Sequence, residues 1–217
     1  MKKKAVLLSA VVIVVLSFLT ACGGASPTAK VDLGVMDKGT YKNDYFGLEM
    51  QVSEAWSIQD AEAMNEIMEI GKEIAAGDDE KKKKQLDLGD EKTLNFVMAF
   101  KYPPEQQQPI NPSIICNAEK LSFLQGVKTG EDYLESAKNM MTESQMPYKF
   151  DKEIYTEKIG GKDFDIMEAV VEIGDMKIMQ KYHTSIMKDY ALNFIVTYFD
   201  DESKAEIDTI LDSIRFE

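Results

Sequence analysis

Between Lys149 and Phe199 the chain is cut into four runs, Lys149–Ile159, Lys162–Ile173, Met176–Met187 and Tyr190–Phe199, by the short turns Gly160-Gly161, Gly174-Asp175 and Lys188-Asp189. Turns this tight let consecutive strands pair directly, so the segment predicts an antiparallel meander. The meander is expected at the centre of the sheet.

Upstream, Phe46, Leu48, Met50 and Val52 recur at spacing two after Tyr41 and the Asn43-Asp44 turn, which predicts a hairpin with one buried face. Trp56 follows at a boundary, where a large aromatic closes the end of a core. Thr93–Tyr102 predicts a strand with Leu94, Phe96, Met98 and Phe100 on one face and Val97 and Ala99 on the other. Ser113–Glu119 predicts the next strand, after a proline-stiffened loop from Pro103 to Pro112.

Three helices complete the pattern. Asp60 to Ala76 places Met64, Ile67, Met68, Gly71, Ile74 and Ala75 at helical spacing, with Asp60 as cap. Thr129 to Ser144 opens with Thr129 and Asp132 spaced as a capping box, above a stripe of Tyr133, Leu134, Ala137, Met140 and Met141. Asp200 to Ile214 carries Ile207, Ile210, Leu211 and Ile214 on one side and three acids at its positive end. Helices and an antiparallel sheet of this kind predict an α+β sandwich.

Two segments carry a family resemblance. Tyr41-Lys42-Asn43-Asp44-Tyr45-Phe46-Gly47-Leu48 leading to Trp56, and Phe199 through a helix to Ile210-Leu211-Asp212-Ser213-Ile214-Arg215-Phe216, resemble the opening hairpin and closing helix of PsbP-like domains. The resemblance implies an antiparallel sheet between helices, a scaffold used elsewhere for photosystem attachment or protein binding and often carried by bacterial lipoproteins. It brings no catalytic residues. The Asp78–Glu91 and Pro103–Pro112 loops are long for the family's simplest pattern.

The chain begins with three lysines and then runs without charge from Ala5 to Ala21, directly before Cys22. A basic start, an apolar run and a small-residue junction form the layout of an export signal, and 17 residues against the roughly 20 of a comfortable spanning helix favour it over the alternative, an uncleaved signal anchor with an incidental cysteine. Leu19-Thr20-Ala21-Cys22 resembles the lipobox of bacterial lipoproteins, which implies that Cys22 receives diacylglycerol and becomes the first mature residue. Acyl chains hold a protein to a bilayer at about 0.8 kcal/mol per buried CH₂. The expected organisation is a signal peptide at 1–21, a lipidated cysteine and flexible tether at 22–39, and one globular domain at 40–217.

Loss of the leader lysines leaves 22 basic residues against 38 acidic, near −16. That balance disfavours nucleic acid, whose backbone needs a positive footprint. It also predicts that the domain stands off from an anionic membrane.

Few residues invite chemistry. With Cys22 acylated, Cys116 is the one remaining thiol and reads as a small core residue, which excludes an intramolecular disulfide and multi-thiolate metal sites. His183 is the sole histidine, alternating with Lys181 and Ser185, and reads as a structural or surface residue on a polar face. Asp163 and Asp165 read as a solvated sheet face, since no calcium-binding loop surrounds them. Lys81–Lys84 are flanked by acids and read as exposed loop. The 13 methionines read as adaptable core filling. No catalytic, metal or cofactor residues are assigned, and Cys22 is the one site residue. The expected partners are membrane lipid through Cys22 and an envelope protein, and the expected place is the extracytoplasmic face of the cell membrane. The function read from this is a noncatalytic protein-binding or complex-assisting module. The alternative is a module binding a small ligand or a cell-wall fragment in a groove beside the Pro103–Pro112 loop.

Overall fold

The computed structural model describes residues 31–76, 92–106, 108–122, 126–143, 147–174 and 176–217. Cys22 and Lys81–Lys84 lie outside these residues. The described strands are β1 (Val35–Asp37), β2 (Thr40–Asn43), β3 (Leu48–Gln51), β4 (Ser57–Gln59), β5 (Thr93–Phe100), β6 (Ser113–Lys120), β7 (Tyr148–Lys149), β8 (Tyr155–Ile159), β9 (Lys162–Ile173), β10 (Met176–Met187), β11 (Tyr190–Tyr198) and β12 (Arg215–Phe216). The described helices are α1 (Ala61–Ala76), α2 (Gly130–Glu143) and α3 (Asp201–Ser213).

All described strand pairs are antiparallel. The larger sheet runs β4-β5-β6-β11-β10-β9-β7, with β8 also paired to β9, and the smaller runs β1-β2-β3-β12. The fold class is therefore α+β, as the sequence predicts. The meander is present as β8-β9-β10-β11, but only β11 reaches the middle of the larger sheet, where it pairs with β6. That position explains why every residue of β11 is buried.

Three layers result. On one face of the larger sheet, α1 and α2 set Met64, Tyr133, Leu134, Ala137 and Met141 against Met98, Ile115 and Met167. On the other, the smaller sheet and α3 set Tyr41, Leu48, Met50, Ile207 and Ile210 against Cys116, Phe164 and Phe194. These are the helical face and the small-sheet face below.

Three details depart from the sequence reading. In β5 the register shifts between Asn95 and Val97, so Phe96 is an extra residue that joins Val97 and Ala99 on the small-sheet face rather than Met98 and Phe100. A bulge of this kind resets alternation without altering composition. The predicted strand Lys149–Ile159 is two strands: β7 pairs near Val170, β8 pairs from Ile166 onward, and the intervening residues swing out. Val35–Asp37, inside the stretch assigned to the tether, pairs with β2 as an edge strand. The chain is already fixed at Asp32, whose carbonyl accepts a hydrogen bond from Asn43 Nδ2 at 2.8 Å.

Both helix caps predicted from the sequence, Asp60 and the Thr129-Asp132 box, are present. Ala63 N donates to Asp60 Oδ1 at 3.0 Å. At α2 the Thr129 amide donates to Asp132 Oδ2 and the Asp132 amide donates to Thr129 Oγ1, which completes the capping box. Gly130 begins this helix because it lies on the sheet itself: a Cβ there would sit 2.5 Å from the Thr184 carbonyl oxygen.

Candidate functional site

The larger sheet carries two polar constellations, one on each face. On the helical face, strand register aligns Asn95 with Asn117, Asn117 with Asn193, Asn193 with Thr184 and Thr184 with Asp165. This is one polar row across five strands. Thr184 Oγ1 donates to Asn193 Oδ1 at 2.7 Å, and Asn193 Nδ2 donates to Asn117 Oδ1 at 3.0 Å. The ends of the row reach the helices: Asn95 Nδ2 donates to Asn65 Oδ1 on α1, and Asp165 Oδ2 accepts the Glu131 amide at the start of α2. Beside it, Tyr133 Oη donates to the buried Glu119 carboxylate at 2.8 Å. Burial, then the Glu119 charge, holds the Tyr133 phenol well above its ordinary range. It stays a donor.

On the small-sheet face, Glu168 lies at the edge where β7 gives way to β8. Its carboxylate accepts Tyr155 Oη at 2.6 Å and pairs with Lys152 at 2.9 Å and Lys181 at 3.0 Å. Lys152 belongs to the segment that swings out between β7 and β8, so the interrupted strand delivers the second cation. Burial alone would raise the Glu168 pKa, but the hydrogen bonds from Tyr155, Lys152 and Lys181 outweigh it and bring the carboxyl down to about 2. A carboxylate so saturated with donors is poorly suited to take a proton from a substrate.

The residues singled out from sequence fall as follows. Cys116 is fully buried, and burial pushes its thiol up, away from reactivity. His183 is not on an open polar face: it is 3% exposed. The alternation with Lys181 and Ser185 holds, but the small-sheet face there is covered. Its Nδ1 is 3.0 Å from the Phe194 carbonyl oxygen, and burial, partly opposed by that bond, lowers its pKa to about 4. Among the described residues no side-chain hydroxyl or carboxylate hydrogen-bonds to it, so the base of a triad has neither nucleophile nor orienting acid. Asp163 pairs with Lys158 at 2.7 Å, while Asp165 is held by Thr156 and the α2 amide. The two carboxylates serve separate structural contacts. The Pro103–Pro112 loop is closed by a double hydrogen bond between Tyr102 and the Asn111 side chain, and Ile110 packs on Val171 and Ile178.

The sequence places Tyr133 only in the apolar stripe of α2 and gives Glu119, Asn193 and Glu168 no role. The only signal was polar residues interrupting otherwise apolar strands, as Asn117 and Glu119 do in β6. Which of them meet depends on register.

No family model matches the chain, and no curated protein matches its sequence. The solved structures to which the chain is similar include the following two. The solution structure of cyanobacterial PsbP (CyanoP) from Synechocystis sp. PCC 6803 shares 11% identity at a TM-score of 0.48, over 92% of this chain and 99% of that one. The crystal structure of LpqN, involved in cell envelope biogenesis of Mycobacterium tuberculosis, shares 11% identity at a TM-score of 0.44, over 77% of this chain and 82% of that one. The first belongs to the family that the opening hairpin and closing helix resemble. Likeness at this level concerns chain arrangement and says nothing of a ligand or partner.

Proposed function

We propose that this chain is a lipoprotein anchored through Cys22 at the extracytoplasmic face of the cell membrane, and that its folded domain is a noncatalytic module that binds or assists an envelope protein. The observation that carries the reading is the Leu19-Thr20-Ala21-Cys22 junction that closes the 17-residue uncharged run Ala5–Ala21, followed within nine residues by the buried Val31. A folded domain so close behind the anchor suits attachment at the membrane surface. The employment of His183, Glu168, Asp165 and Cys116 in structural contacts favours binding over catalysis. Among the described residues no helix is long and apolar enough to cross a membrane.

Crosslinking on intact cells, with the wild-type chain beside Cys22→Ala, tests both halves. The expected result is membrane fractionation of the wild type, its loss in the variant, and one reproducible envelope-protein adduct that depends on Cys22. Mass spectrometry finding the leader still joined to an unmodified Cys22 would refute the anchor. Turnover of an envelope substrate by the purified domain would refute the noncatalytic reading.

A further inference from the structure

The membrane anchor and the shape of the domain constrain each other. Gly23–Lys30 supplies eight residues of tether, which reach about 28 Å at most when fully extended. The described residues begin at the buried Val31, and Asp32 is held beside Asn43 at the start of the β2-β3 turn. That turn carries Tyr45 and meets Lys188 and Tyr190 in the β10-β11 hairpin. The C-terminal Glu217 amide donates to Gly47 in the same turn, and Phe216 lies against the β8-β9 turn at Gly160. The tether therefore leaves from one end of the larger sheet. The opposite end, at the β9-β10 turn, is twelve residues of strand away, or about 40 Å.

This end has a chemistry of its own. Lys188 lies over the Tyr45 ring with its amine 3.8 Å from the centroid, Lys120 over Tyr190 at 4.6 Å, and Lys162 over Phe216 at 5.5 Å. Two of the three exposed large hydrophobic side chains among the described residues, Leu33 and Val35, stand beside the tether exit. The rings belong to the core, with Tyr190 buried and Tyr45 and Phe216 packed against it, so they seat the lysine stems while the amines are left to reach phosphate.

Charge at this end does not follow the whole chain. Lys158 and Lys120 pair with Asp163 and Asp189. Among the other charged side chains here, Lys162 and Lys188 stand against Asp32, Asp44 and Glu217, a net of −1, in a mature chain near −16. Beyond a Debye length of about 8 Å the remaining acids are screened from a surface that touches this end.

We infer that the tether end docks on the anionic phospholipid leaflet that holds the anchor, with Leu33 and Val35 at the headgroup boundary and Lys162 and Lys188 on lipid phosphates. The inference rests on acylation of Cys22, and it fixes orientation: the β9-β10 end points away from the membrane, where a partner reaches it.

The test uses the acylated full chain in phosphatidylglycerol vesicles, with a fluorophore on Leu33→Cys or, separately, on Lys177→Cys at the opposite end. Cys116 is buried and does not compete for label. Headgroup-nitroxide lipid is expected to quench the label at 33 and leave the label at 177 unaffected. In Lys162→Gln/Lys188→Gln carrying the Leu33→Cys label, the docked-to-undocked ratio should fall on the order of thirtyfold, from the headgroup attraction of two surface lysines. The variant should still float with the vesicles. Equal quenching at 33 and 177 in vesicle-bound protein would overturn docking and leave the anchor standing. Protein that fails to float would overturn the anchor and docking together. Quenching at 33 that survives in phosphatidylcholine vesicles and in the double variant would overturn the role given to the lysines and the anionic leaflet.

Discussion

His183 is the sole histidine of the chain, and burial brings its pKa from 6.5 to about 4. As pH falls, the unfolded chain therefore takes up this proton before the folded one does. Its contribution to stability is complete above about pH 6.5 and is lost progressively as pH falls toward 4. Glu168 acts in a lower window: its lowered carboxyl favours the fold above about 4.5, and that contribution is lost as pH falls toward 2. The windows barely overlap, and a histidine is the side chain whose ordinary titration lies between pH 5 and 8. Urea unfolding at about pH 7 and about pH 5 should show a loss of stability in the wild type that shrinks clearly in His183→Gln. An unchanged loss in the variant would mean that the proton finds its place elsewhere.

Among the elements, the polar row decides how the strands are aligned. Apolar side chains in β6 and β11 tolerate a shift by two residues, because the buried face stays apolar. The Asn117, Asn193 and Thr184 bonds do not, since each needs its partner opposite. Asn193→Ala removes the acceptor of the Thr184 hydroxyl and the donor to Asn117 Oδ1 in a site that is 1% exposed. The expected cost is about 2–4 kcal/mol, read as a lower urea midpoint at an unchanged slope. A cost within about 0.5 kcal/mol, as for an ordinary surface substitution, would show that apolar packing alone sets the register. This row also marks the limit of what the sequence reveals. The glycine and aspartate turns made the meander legible, and the Thr129-Asp132 spacing made the α2 cap legible, because both are local. The bulge at Phe96 leaves the pattern of residue types unchanged, and β1 and β12 are too short for any period. The burial of His183 and the company of Glu168 depend on a second layer and on an interrupted strand. None of these is written within one segment.

At the scale of the whole molecule, membrane docking has consequences for the rest only if the smaller sheet is rigidly joined to the larger. The junction is aromatic: Phe46 meets Phe96 at 5.6 Å and Tyr190 at 5.8 Å between ring centroids, and Phe216 stacks on Phe164 at 6.0 Å. It is also tied through α3, where Ser213 Oγ accepts the Gln51 amide and Glu206 accepts Trp56 Nε1 at 3.0 Å. Four short strands could not hold together alone, since an isolated small sheet has too little apolar area to offset the entropy of ordering it. Trp56, the sole tryptophan, lies in the core between the two sheets and reports on this junction, while circular dichroism reports mainly on the larger sheet and the helices. Urea transitions by Trp56 fluorescence and by circular dichroism should therefore coincide. Phe46→Ala should move both together, at a cost of about 3–5 kcal/mol. An earlier fluorescence transition, with circular dichroism held back, would show the smaller sheet melting by itself. Orientation set at the lipid surface would then fail to reach the β9-β10 end.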